Sequence, residues 1–124
     1  MKNYLIIFVS LSLLVSLAGC GGEMTSTPTT AREAADFYVK AAQSGKVAAV
    51  ESLSTDNYKK RAKKEVGRFQ RYAKCNFSKV EIEKESEGTW HAHYYNCEKT
   101  GGGTEQVIVV VLEKDGKYLV GDID

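Results

Sequence analysis

The sequence contains no short motif that identifies an enzyme by itself. No glycine-rich phosphate loop opens a helix, and neither a nucleophile elbow nor a catalytic triad occurs in the 124 residues. The only run of three glycines, Gly101 to Gly103, lies where we predict a hairpin between two strands. These absences favour a non-enzymatic role and suggest no cofactor.

The chain also lacks a large net charge of either sign. It has 17 basic and 16 acidic residues, and removal of the leader described below would remove Lys2 and balance the two. Bulk charge therefore indicates no polyanionic partner. We expect no nucleic acid ligand.

The first twenty residues predict export. Lys2 precedes an apolar run from Tyr4 to Leu17, which is too short to span a bilayer comfortably but is typical of a signal peptide. Leu17 to Cys20 reads Leu-Ala-Gly-Cys and resembles the lipobox of bacterial lipoproteins. The resemblance implies a signal peptide over residues 1–19, cleavage before Cys20, and acylation of the Cys20 thiol.

We accordingly expect a cell-envelope protein that is held at a membrane by its N-terminal lipid. Two or three acyl chains make such an attachment effectively stable. Gly21 stands where an Asp would resemble an inner-membrane retention signal, so the outer membrane is favoured if the source is Gram-negative. Residues 20–30 comprise the lipidated cysteine and a small, polar stretch that we predict to be a flexible linker.

Residues 31–124 have room for one domain. Thr30 and Glu33 form a capping box that predicts a helix beginning at Ala31, and Ser44-Gly45 should end it. Two further helices are predicted from their apolar spacing, over Lys46 to Leu53 and about Asn57 to Ala73.

After Asn76 the apolar pattern changes from helical to alternating, which predicts strands. Four are expected, over about Cys75 to Lys84, Thr89 to Cys97, Thr104 to Glu113 and Lys117 to Ile123. Asp115-Gly116 is typical of a type I′ hairpin turn. The third strand is apolar on both faces, so it should be covered on both sides or lie centrally in the sheet. The fold class is therefore α+β, with N-terminal helices packed on a curved antiparallel sheet.

Two segments resemble the small NTF2-like bacterial lipoproteins of the DUF4878 type. Ala31 to Lys46 looks like the helix, turn and helix that open that family, with Lys46 in place of the usual Asp. Asp115 to Asp124 is similar to its closing strand, with Tyr118 where Trp is usual. The resemblance implies a cystatin-like cone with a pocket between sheet and helices. It brings no catalytic residues with it.

His91 and His93 are a candidate metal-binding pair. Alternation along a strand places both imidazoles on one face, and pairing the strands about residue 86 sets Glu81 opposite His91. His-x-His is a weak motif by itself, however. We predict two half-exposed histidines facing acidic neighbours, and no metal.

The predicted third helix is strongly basic. It could present a cationic surface to anionic headgroups or cell-wall polymer, or it could be a solvated face balanced by the acidic residues of the sheet. We favour the solvated face. The residues of this candidate basic surface are Lys59, Lys60, Lys63, Lys64, Arg68 and Arg71.

The three cysteines predict one disulfide. Lipidation would consume Cys20, which leaves Cys75 and Cys97 as a pair in an oxidising compartment. If the first hairpin turns about Ser86, paired residue numbers sum to 172 and Cys75 faces Cys97. In the competing interpretation, both thiolates would join the two histidines around a metal.

Three functions remain open. The first is a lipid-anchored, non-enzymatic binding or envelope-maintenance module, whose partner is a small hydrophobic ligand or an envelope protein. The second is a surface-interaction protein that uses the basic helix. The third is a pocket enzyme with Asp36 and Tyr38 as acid/base candidates, although we expect Asp36 on the exposed side of its helix.

Overall fold

A computed structural model describes residues 27–124. Three α-helices precede an antiparallel sheet, which confirms the α+β class. The helices are α1 Ala31–Gln43, α2 Val47–Ser52 and α3 Ala62–Phe69, and the strands are β1 Tyr72–Lys74, β2 Glu81–Ser86, β3 Thr89–Lys99, β4 Thr104–Lys114 and β5 Lys117–Ile123. The predicted signal peptide, Cys20 and residues 21–26 of the predicted linker lie outside this range. Among the described residues, no helix is long and apolar enough to cross a membrane.

Both ends of α1 are where the sequence predicts them. The Thr30 hydroxyl accepts a hydrogen bond from the Glu33 backbone at 3.1 Å, and the Glu33 carboxylate accepts two from Thr29. Those bonds, the backbone one first, lower the pKa of Glu33. At the other end the Lys46 amide donates to the Ala41 carbonyl at 2.9 Å, while Gly45 supplies the left-handed conformation with φ +76° that such a helix end requires.

The doubly apolar β4 lies inside the sheet, between β3 and β5. On the opposite edge of β3, β1 and β2 pair one after the other, so the five strands form an open sheet four strands wide. The free edge of β5 is partly covered, because the Thr55 amide donates to the Val120 carbonyl at 2.9 Å and the Val120 amide donates to Leu53 at 2.8 Å. Asp115 and Gly116 have φ of 53° and 79°, which confirms the type I′ turn.

The core lies between the helices and one face of the sheet. Val107, Val109 and Val111 of β4 are fully buried there, and burying one such side chain stabilises the fold by about 1.5–3 kcal/mol. The ring of Tyr38 from α1 packs edge-on against Phe69 of α3, with centroids 6.4 Å apart. The remaining fully buried residues of α1 are Ala34, Ala35, Val39 and Ala42.

The predicted bounds of two elements are wrong. The third helix begins at Ala62, not at about Asn57, and a 3₁₀ turn, Lys59–Arg61, precedes it. The third helix ends at Phe69, not at Ala73, because the chain beyond it joins the sheet as β1 and the buried Tyr72 ring packs 5.7 Å from that of Phe69. The predicted first strand is broken by a 3₁₀ turn, Phe77–Lys79, where the Ser78 amide and hydroxyl both donate to Oδ1 of Asn76. Tertiary pairing has overridden local preference in both places.

The predicted register of the first hairpin is wrong by two residues. Ile82 pairs with Ala92 and not with Trp90. The cause is the turn: Ser86 already pairs with Thr89, so only two residues connect the strands. Because side chains alternate with a period of two, the paired residues 81–84 and 90–93 keep the predicted faces.

The predicted disulfide between Cys75 and Cys97 is present, with Cα atoms 4.1 Å apart. Both residues are buried. At this end of the hairpin the predicted register holds, since Lys74 pairs with Glu98. Between the two ends, the 3₁₀ turn and a bulge in β3, where Asn96 has φ 56°, take up the difference.

We expect loss of the disulfide to destabilise the domain substantially. Closing a loop with a sequence separation of 22 corresponds to about 3 kcal/mol in the chain-entropy model. Urea unfolding of Cys75→Ala/Cys97→Ala should show a free energy of unfolding lower than that of the oxidised protein by about this amount. A reductant should lower the free energy of unfolding of the wild type by a similar amount and leave that of the double variant unchanged. Equal urea midpoints for all samples would contradict this prediction.

Candidate functional site

A groove with a volume of about 690 Å³ opens between α1, α2 and β5. Phe37 and Ala41 line it from one face of α1, Ser44 lines it from the residue after that helix, and Tyr118 lines it from β5. This volume lies in the range of small-molecule sites. We call this cavity the α1–β5 groove.

The lining of the groove contains large apolar side chains. Phe37, Leu53, Tyr118 and Leu119 are half-buried, so part of each remains open to a ligand. The Tyr118 ring is held by Trp90, whose centroid lies 5.4 Å away. These side chains can therefore pack against an apolar ligand without first leaving the core.

The groove also carries charged residues, namely Lys40, Lys46, Lys59, Lys117, Glu51 and Asp56. Lys59 pairs with Asp56 at 3.6 Å, and the Lys40 ammonium lies 5.3 Å from the centroid of the Phe77 ring. Lys46 and Lys117 are exposed and have no carboxylate within 4.0 Å among residues 27–124. Those two lysines are thus available to an acidic ligand.

The residues of the predicted basic surface are not equivalent. Lys60, Lys63, Lys64 and Arg71 are exposed. Lys59 belongs to the groove, and the Arg68 guanidinium is only 28% exposed and lies 3.5 Å from the Glu65 carboxylate.

Glu65 is a buried carboxylate that sequence reasoning missed. Its side chain is 2% exposed, and it accepts a 2.6 Å hydrogen bond from the Tyr58 hydroxyl. The guanidinium groups of Arg61 and Arg68 lie 3.8 Å and 3.5 Å from it. A buried charge needs such partners, so these two arginines stabilise the fold and are less available to an external anion. The signal available in the sequence was that Glu65 is the sole acidic residue within a run of basic ones.

Asp36 and Tyr38, the acid/base candidates, do not meet in a pocket. The Asp36 side chain is 19% exposed, so the expectation that it faces solvent is wrong. It accepts a 2.6 Å hydrogen bond from Tyr94 and lies 3.6 Å from Arg32. Tyr38 is fully buried in the core. Neither residue lines the groove.

The two histidines lie on the sheet face that points away from the helices. Glu83 pairs with His91, and Glu81 pairs with His93, so the predicted pairing of Glu81 with His91 is wrong. The disulfide engages both cysteines, which rules out the interpretation in which their thiolates join the histidines around a metal.

No model of a known protein family matches the chain, and no curated protein matches it either.

The buried tyrosines make alkaline pH destabilising. Burial first, and then hydrogen bonds to Asp36 and Glu65 respectively, raise the pKa values of Tyr94 and Tyr58 far above the ordinary value of 10.0. Burial likewise raises the pKa of Tyr38. Well below pH 10 these hydroxyls stay protonated in both the folded and the unfolded state, and their hydrogen bonds contribute fully to the free energy of unfolding. Above it only the unfolded chain ionises, so the free energy of unfolding falls as pH rises.

We therefore expect urea unfolding to show a loss of stability between about pH 9 and about pH 11. Tyr94→Phe should be less stable at the lower pH but should lose less on going to the higher one. An identical pH slope for the variant and the wild type would show that Tyr94 does not contribute.

Proposed function

We propose that the chain is a lipid-anchored envelope protein of the NTF2-like kind, and that it acts as a non-enzymatic binding module. Its α1–β5 groove would take a small amphipathic ligand with an apolar body and an acidic group. The observation that carries the proposal is the combination, in one groove, of half-buried apolar side chains with the exposed cations Lys46 and Lys117.

The apolar side chains favour a ligand with a hydrocarbon body. Phe37, Leu53 and Tyr118 each retain exposed surface in the free protein, and covering such surface contributes roughly 25 cal/mol per Å². A volume of about 690 Å³ accommodates a molecule the size of a fatty acid. The apolar part would supply affinity, and the charged part orientation.

The charges favour an acidic head group. Lys46 precedes the first residue of α2, and Lys117 is the first residue of β5. The backbone that carries each ammonium group is therefore held by an adjoining helix or strand. Glu51 is also in the lining and would repel a second negative charge. These groups together favour a head group with one negative charge, such as a carboxylate.

The proposed anchor places the groove near a membrane. Thr27 and Pro28 form part of the groove wall, and seven residue steps separate Thr27 from Cys20. Even a fully extended chain covers no more than about 25 Å over that length. A groove tethered so closely can exchange amphipathic molecules with the bilayer surface, which supports a lipid-derived ligand.

A second candidate function uses the basic surface. Lys60, Lys63 and Lys64 are exposed, and within residues 27–124 none has a carboxylate within 4.0 Å. They would bind anionic headgroups or cell-wall polymer, at about 1 kcal/mol each near a charged membrane. Such binding would depend strongly on salt.

We expect the Cys20→Ala chain to bind a fluorescent long-chain fatty acid, and we expect Lys46→Glu/Lys117→Glu to weaken that binding about tenfold, corresponding to about 1.4 kcal/mol. The matched control is Lys63→Glu/Lys64→Glu, which makes the same change in charge outside the groove. Fluorescence titration at low and high salt measures both. Equal affinities for the two variants would contradict an acidic ligand in the groove.

The apolar part can be tested separately. Ala49 lines the groove, whereas Ala48 lies on the same helix and is exposed. Ala49→Leu should reduce fatty-acid affinity by occupying the groove, and Ala48→Leu should not.

The basic surface is tested with the variant Lys63→Glu/Lys64→Glu. If this variant loses adsorption to anionic vesicles at low salt, the basic surface is the functional one.

The anchor is tested through Cys20. Cys20→Ala should leave the domain folded and release it from the membrane fraction, because the lipid is the proposed attachment. Mass analysis of the membrane-bound wild type should find the leader removed and the Cys20 thiol acylated. An unmodified thiol, or a variant that stays bound after high-salt washing, would contradict lipid anchoring.

A further inference from the structure

The outer face of the sheet brings three metal-ligating side chains together. Glu83, His91 and His93 each offer one ligand atom, and these atoms all lie within 4.8 Å of one another. The hairpin positions them: β3 carries both histidines on one face, and Glu83 pairs directly with His91. The Glu83 carboxylate also reaches diagonally to Nε2 of His93, at 3.1 Å.

We propose that Glu83, His91 and His93 form a binding site for a divalent late transition metal ion, with zinc as the ion that fits best. Two imidazoles and one carboxylate are ligands that zinc accepts, whereas calcium and magnesium prefer oxygen alone. Ligand atoms in a tetrahedral zinc site lie about 3.3 Å apart. Side-chain rotations must therefore bring ligand atoms that now lie within 4.8 Å of one another closer by about 1.5 Å at most.

Each histidine has a neighbour that can orient its second ring nitrogen. Nδ1 of His91 lies 3.6 Å from the Glu85 carboxylate, which leaves Nε2 for the metal. Nδ1 of His93 lies 3.1 Å from the amide of Gln106 on β4. When Nε2 binds a metal, Nδ1 carries the proton and donates a hydrogen bond to the Gln106 side-chain oxygen, once the amide has rotated by 180° to exchange its oxygen and nitrogen. Metal-ligating histidines commonly have such partners.

The surroundings hold the site in place. The Tyr95 ring is stacked nearly parallel to His93, at 6.1 Å between centroids, and its hydroxyl donates to Glu81 at 3.1 Å. The side chains of His91 and His93 are 29% and 16% exposed, so the site is reachable from solvent but partly shielded. Three protein ligands leave a fourth position open to water or to a group from a partner.

The site is separate from the α1–β5 groove. No groove residue belongs to it, and it lies on the opposite side of the sheet from the helices. The proposal therefore does not depend on the proposed ligand or on the anchor.

The test is a zinc titration of the full chain carrying Cys20→Ala, monitored by calorimetry, together with a measurement of the thermal unfolding midpoint. This chain has no free thiol to bind zinc, because the disulfide engages the other two cysteines. We expect one ion per chain in the wild-type site and a thermal midpoint that rises with zinc. His93→Ala should abolish both effects, and Gln106→Leu should weaken binding about tenfold to a hundredfold.

Glu87→Gln is the matched control for Glu83→Gln. Glu87 is an exposed carboxylate in the same hairpin, paired with Lys84, and its loss should leave zinc affinity unchanged while Glu83→Gln lowers it. Cobalt should show tetrahedral absorption bands in the wild type and not in His93→Ala. Absence of zinc binding, or binding that His93→Ala does not affect, would overturn the proposal.

Discussion

Burial of one face of β4 beneath α1 is the contact on which the rest of the structure depends. Val107, Val109 and Val111 are fully buried against the helices, and a strand that directs alternate side chains inward must direct the others outward. Backbone pairing with β4 fixes the outward face of β3 as well, because His91 pairs with Val110 and His93 with Ile108. The location of the histidine cluster is therefore a consequence of core packing.

Two tyrosine–carboxylate hydrogen bonds add polar contacts to that apolar packing. Tyr94 of β3 donates to Asp36 of α1, and Tyr58 donates to Glu65 of α3. Each hydrogen bond has a preferred geometry, which dispersion contacts lack. Each also gives a partner to a carboxylate that would be costly to bury alone. With α1 held in this orientation on the sheet, its Phe37 side lies beside β5 and bounds the groove.

Local signals predicted the features that depend on neighbours in sequence. The limits of α1 followed from Thr30, Glu33 and Gly45, because capping involves atoms only a few residues apart. The disulfide followed from counting cysteines, and the Asp115-Gly116 turn from its backbone preference. The end of the third helix did not follow, because Tyr72 pairs in the sheet with Lys99, which is remote in sequence.

The sequence by itself determined the α+β class, the limits of α1, the Asp115-Gly116 turn and the pairing of Cys75 with Cys97. Only the tertiary structure decided which carboxylate meets which histidine, because a hairpin can slip by two residues without changing any face. It likewise decided that Arg68 lies against the buried Glu65 while Lys63 remains exposed. The first depends on the turn of the hairpin, and the second on which side of α3 is packed into the core, since Glu65 and Arg68 are only three residues apart.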